Sequence, residues 1–164
     1  MKVFTKAFLL LSLFVVSCQS LPEKQKWAWL SGLDEAIGRD PIQVEFEIVY
    51  LRGQNTHRLE AASRAEVKGV QLASYVDQRM VMSGPVFQSS YVELLSRVRN
   101  LVLQTEASRD AHSPQPCRTP YKLHLSWKSN SREVEGCSDR DAAALRQFIQ
   151  QFEFALVSAH PAST

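Results

Sequence analysis

Ile42-Gln43-Val44-Glu45-Phe46-Glu47-Ile48-Val49-Tyr50-Leu51 is the stretch that decides the fold. Ile42, Val44, Phe46, Ile48 and Tyr50 take every second position, and Gln43, Glu45 and Glu47 stand between them. A pleated strand sends successive side chains to opposite faces, so this alternation predicts a strand buried on one side and wet on the other. Pro41, which has no N–H to give a ladder, stands just ahead of it. Arg52-Gly53-Gln54-Asn55 reads as a turn, which predicts a hairpin to a second strand near Thr56–Ser63 with Leu59 and Ala61 toward the core. Beyond it, Val67, Val70, Leu72, Tyr75, Val76, Met80, Val81 and Met82 suggest one or two further strands, with Gly69 as a bulge or turn. Met80 and Met82, one residue apart, are expected on a common face, and Ser83-Gly84-Pro85 ends this β-rich half.

A helix follows. Phe87, Tyr91, Leu94, Leu95, Val98, Leu101 and Val102 fall at helical spacing, and Ser90-Tyr91-Val92-Glu93 has the form of a capping box. Thr105–Pro120 reads as a polar loop broken by Pro114, Pro116 and Pro120. Tyr121, Leu123, Leu125 and Trp127 then alternate with Lys122, His124 and Ser126, a second clear strand. Lys128-Ser129-Asn130-Ser131 makes the turn, and Arg132–Gly136 the return strand. Ser138 is placed to cap a last helix with Ala142, Leu145, Phe148, Ile149, Phe152 and Leu156 on its inner stripe and Phe154 off it. Strands and helices segregated in this way predict an α+β fold. The expected form is a two-layer sandwich, an antiparallel sheet of about four to six strands with two helices on one face.

The N-terminus carries a different signal. Lys2 and Lys6 make a short basic start, Ala7–Val16 is an almost unbroken apolar run, and Val15-Val16-Ser17-Cys18 closes it. The run is too short for a permanent membrane span and reads as an export signal. Its ending resembles the lipobox of bacterial lipoproteins. That resemblance implies removal of residues 1–17, acylation of Cys18 (palmitate among the acyl chains) and a durable membrane anchor. Gln19 follows the cysteine where the enterobacterial retention pattern has Asp, so the implied location is the cell envelope, at the periplasmic face of the outer membrane. Residues 18–41 then form the lipidated N-terminus, a polar tether and a short helix around Trp27-Ala28-Trp29-Leu30. Residues 42–158 form one α+β domain, and 159–164 a tail. Trp27 and Trp29 suit either a membrane interface or packing onto the domain, the second being favoured.

Charge narrows the function. The chain has 19 Lys and Arg against 17 Asp and Glu, and two of the cations, Lys2 and Lys6, leave with the leader. The remaining body is neutral, which gives no electrostatic footprint for nucleic acid. With Cys18 acylated, Cys117 and Cys137 remain. In an oxidising envelope that pair predicts a disulfide across the ends of the Tyr121–Gly136 hairpin.

Candidate chemistry is sparse. No G-x-S-x-G elbow, P-loop or dinucleotide fingerprint occurs, and His57, His112, His124 and His160 stand far apart. Cys117, His124 and Cys137 match no standard zinc spacing, and Met80 with Met82 lacks a third soft ligand for copper. No metal, cofactor or catalytic residue is expected. Glu45, Glu47, Lys122 and His124 are all outward residues of strong strands, and a sheet covered on one side leaves its other face free. They are the candidate binding face. The expected function is a non-catalytic envelope lipoprotein that binds or scaffolds another envelope component. The alternative is a periplasmic inhibitor of a protease or lysozyme, acting through the proline-rich loop Ser113–Pro120.

Overall fold

The computed structural model describes residues 23–64, 69–110 and 116–158. The elements run α1 (Glu23–Arg39), a 3-10 turn (Pro41–Gln43), β1 (Val44–Arg52), β2 (Asn55–Ser63), β3 (Val70–Val76), β4 (Arg79–Pro85), α2 (Gln88–Asp110), β5 (Pro120–Trp127), β6 (Asn130–Cys137) and α3 (Ala142–Ser158). Six strands form one sheet in the order β4-β3-β2-β1-β5-β6, with every neighbouring pair antiparallel. The first four strands meander away from β1. α2 carries the chain back, so β5 joins the free side of β1 and leaves that strand in the interior of the sheet. This is the α+β sandwich that the alternation implied.

Turn chemistry sets the meander. Gly53 has φ +66 in the two-residue β1–β2 loop, and Gln54 is not left-handed, the II′ pattern that suits strand twist. In the β3–β4 loop both Asp77 and Gln78 are left-handed, with φ of 47° and 67°. Asp77 holds this less favourable backbone by accepting the Thr56 N–H at 2.9 Å through its side chain, while its own N–H returns to the Thr56 carbonyl.

The helices lie on one face. Val44, Phe46, Ile48 and Tyr50 of β1 are buried there, as are Leu59, Ala61, Leu72, Leu123, Leu125 and Val134 from the neighbouring strands. Phe148 and Phe152 of α3 meet Phe46 edge to face at 5.5 and 6.2 Å, and Tyr91 of α2 stacks on the same ring. The Tyr91 hydroxyl donates to the Val44 carbonyl, which satisfies a polar atom inside the core.

A third helix joins them. α1 is a full 17-residue helix, longer than the short one expected around Trp27–Leu30, and Leu30, Leu33 and Ala36 enter the common core. Trp29 packs on Trp127, and Asp34 takes a two-pronged bond from Arg99 of α2 at 2.6 and 2.9 Å. For Trp29 the packing reading is the one the structure shows.

Four local expectations change. α2 begins at Gln88 with Phe87 accepting its first helical bond, so Ser90 is already inside the helix and caps nothing. α2 also continues to Asp110, through part of the expected loop, because Thr105 and Glu106 are buried in its last turns and Thr105 bonds Tyr121 of β5. Ser138 does not cap α3; the Asp141 carbonyl receives the first bond, from the Leu145 N–H. Finally, Val81 is an extra residue on β4. Tyr75 faces Met80 while Ser74 faces Met82, so the bulge sends the two methionines to opposite faces of the sheet.

Candidate functional site

The face of the sheet opposite the helices carries the charged residues. Register places them in rows across β1, β5 and β6. Glu45 is opposite Ser126 and Ser126 opposite Ser131; Glu47 is opposite His124 and His124 opposite Glu133; Val49 is opposite Lys122 and Lys122 opposite Glu135. On the other side of β1, Glu47 faces Glu60 and Val49 faces Arg58. Glu45, Glu47, Lys122 and His124 therefore share one face, and among the described residues no helix lies over it.

This face has internal order. Arg58 lies over the Tyr75 ring at 3.9 Å and reaches Glu47 at 3.7 Å and Glu60 at 3.8 Å. Lys122 stands between Glu135 at 3.0 Å and Glu133 at 3.4 Å. The hydrogen bond to Glu135, then the charge of Glu133, holds its ammonium above the usual lysine range. Glu45 is tied more closely, since its Oε1 accepts the Ser63 N–H at 2.7 Å. His124 is exposed and has no polar partner among the described residues. The outward positions hold five carboxylates (Glu45, Glu47, Glu60, Glu133, Glu135) against two full cations, Arg58 and Lys122. The face thus carries a net negative charge on a chain whose body is neutral.

Sequence reasoning found the four named residues and missed Arg58, Glu60 and Tyr75. The signal for Arg58 and Glu60 was available, because they flank Leu59, which the hairpin turned inward. Tyr75 was hidden because Ala73 and Tyr75, on the outward face of β3, are themselves buried, so that strand lacks a clear apolar and polar alternation.

The disulfide between Cys117 and Cys137 is present, with the two Cα atoms 5.7 Å apart. Behind it lies a buried polar cluster centred on Asp141. Asp141, 3% exposed, accepts the Ser108 hydroxyl at 2.8 Å, the Tyr121 hydroxyl at 3.0 Å and the Cys137 N–H at 3.0 Å. One carboxylate so ties α2, β5, β6 and the start of α3. Burial raises the Tyr121 hydroxyl well above the ordinary tyrosine value and keeps it a donor. A cleft beside the disulfide is lined by Pro116, Arg118, Cys137, Asp139 and Arg140. The Asp141 carboxylate is taken up in holding these elements together.

Among the described residues no three of His, Cys, Asp and Glu are grouped to hold a metal ion, and no helix is long and apolar enough to cross a membrane. Residues 1–17, Cys18, the first part of the Ser113–Pro120 loop and the tail at 159–164 lie outside the described residues. No family model matches the chain, and no curated protein or solved structure is significantly similar to it.

Proposed function

We propose that the protein is a lipid-anchored, non-catalytic component of a bacterial envelope, probing the periplasm with the uncovered face of its sheet to bind or scaffold another envelope protein. The observation that carries this reading is the segregation of the layers. All three helices pack on one side, and the other side presents Glu45, Glu47, Lys122 and His124 together with Glu60, Glu133, Glu135 and Arg58. A sheet face with charged rows and a buried aromatic beneath them suits a polar, reversible contact with a partner that carries the opposite charge. The lipobox-like leader ending at Cys18 supports a location for such a face within the envelope.

Photo-crosslinking in living cells tests it. A crosslinking residue at Ser126, in the middle of the face, is expected to capture a stoichiometric partner. The same residue at Gln104, exposed on α2, is expected to capture none. Recovery of no partner from Ser126, under conditions that keep other envelope complexes intact, would count against the reading. A second reading, inhibition of a periplasmic hydrolase, is favoured by one feature, the pinning of Cys117 within the proline-rich segment. A held loop binds with little ordering cost. Replacing Pro116 and Arg118 by glycine should then abolish inhibition across a protease and lysozyme panel.

A further inference from the structure

One end of the molecule combines aromatic and basic groups, and it is the end at which the described chain begins. α1 enters there with Glu23-Lys24-Gln25-Lys26, followed by Trp27 and Trp29. Trp29 lies 6.3 Å from Trp127, ring to ring, and the Arg132 guanidinium stands 5.4 Å over the Trp29 ring. Trp127 and Asn130 are the pair that closes the β5–β6 hairpin, so Lys128 and Ser129 form its tip. Lys128 is exposed, in left-handed turn backbone with φ +54. Neither Lys128 nor Arg132 has a carboxylate partner among the described residues, and the buried indole N–H of Trp29 has no acceptor there.

Chain length adds a constraint. Four residues, Gln19 to Pro22, separate Cys18 from Glu23, and the five residue steps between them reach at most about 18 Å when extended. Any lipid carried by Cys18 is therefore held close to this end of the fold, whatever path the tether takes. Lysine and arginine next to a bilayer are attracted to anionic headgroups, and indole rings favour the headgroup zone.

We infer that this end, with Trp27, Lys128 and Arg132, docks on the surface of an anionic phospholipid bilayer, Trp29 being the packed support beneath Arg132. The inference rests on the acylation of Cys18 under the proposed function. It adds an orientation: the body does not swing on its tether but stands on the hairpin tip and the first turns of α1. The uncovered sheet face is then carried to the side, and the disulfide end points away from the membrane.

The test uses the chain from residue 18 onward with Cys18→Ser, which keeps every described residue and carries no lipid. Vesicles of equimolar phosphatidylethanolamine and phosphatidylglycerol are compared with vesicles of phosphatidylcholine alone. Docking is expected to give co-sedimentation with the anionic vesicles only, a blue shift of tryptophan emission, and loss of both at high salt. Lys128→Asn, which suits left-handed backbone, is expected to weaken binding several-fold, and Lys128→Asn with Arg132→Gln by at least tenfold. Arg146→Gln, on the exposed side of α3, should leave binding unchanged. No binding to anionic vesicles, or an equal loss from Arg146→Gln, would overturn the inference. Because Arg132 packs on Trp29, far-UV circular dichroism checks the double variant, and Lys128→Asn alone decides if that variant is unfolded. Labelled fatty acid on Cys18 of the wild type reads the anchor separately, so failure of the anchor and failure of docking are distinguishable.

Discussion

Asp141 shows how much a single side chain can hold. Its three donors come from three different elements, and replacing it leaves the Tyr121 hydroxyl, the Ser108 hydroxyl and the Cys137 N–H without their acceptor. Asp141→Ala is expected to lower stability by about 3 kcal/mol in urea denaturation, because each buried donor left unpaired carries a desolvation penalty. Gly136 is constrained by the same cluster. A Cβ there would come within 2.1 Å of the Tyr121 ring, which is pinned by Thr105 and Asp141 and cannot move aside. Gly136→Ala is expected to cost about 2–3 kcal/mol, or to prevent folding, as read from the thermal midpoint. Tyr91 sets a pH dependence. Burial, and then the charge of Glu45, raises its hydroxyl above the ordinary value near 10, so the folded chain keeps the phenol neutral where the unfolded chain ionises it. Its contribution is whole below about pH 10 and is lost as pH rises beyond, at about 1.4 kcal/mol per pH unit. Tyr91→Phe should cost about 1 kcal/mol at neutral pH through the lost bond to Val44 and make the alkaline decline of the urea midpoint shallower.

At the scale of the element, α1 and the β3–β4 turn carry the sharper expectations. In the sequence this region reads as a tether and a short helix, but Leu33 is 1% exposed in the common core and Asp34 is clasped by Arg99. Leu33→Ala is expected to lower stability by about 3 kcal/mol within a single cooperative transition followed by tryptophan fluorescence, since a cavity opens in the common core. A separate, earlier loss of α1 would contradict this. In the β3–β4 turn, Gln78 pays a conformational cost for its left-handed backbone that glycine avoids. Gln78→Gly is expected to raise stability by about 0.5–1 kcal/mol, provided Asp77 keeps its bond to Thr56. Strands β1 and β5 were legible from residue alternation alone, because each buries one face only. The extra turns of α2 were not legible. Thr105 and Glu106 look like solvent residues until Tyr121, arriving from a distant strand, gives the first of them a buried partner.

At the scale of the whole molecule, the chain from residue 18 onward is neutral but has a charge asymmetry. Glu45→Gln with Glu47→Gln is expected to change stability by less than about 0.5 kcal/mol, since neither position fills the core. The same pair should abolish capture of a partner by a crosslinker at Ser126. Stability unchanged with capture also unchanged would move the contact off this face. The sequence by itself determined the elements whose residues see one consistent environment: the strands around Phe46 and Leu123, the hairpin, the two later helices and the pairing of two cysteines. Their periodicity is a direct imprint of being buried on one side. Only the tertiary structure decided which residues become neighbours through closure of the sheet. It brought Arg58 over Tyr75, gathered five glutamates on one face, split Met80 from Met82 at a bulge and set Trp29 between Trp127 and Arg132. Those meetings depend on register and on the crossing of α2, quantities fixed by the packing of the whole core and by no stretch of sequence alone.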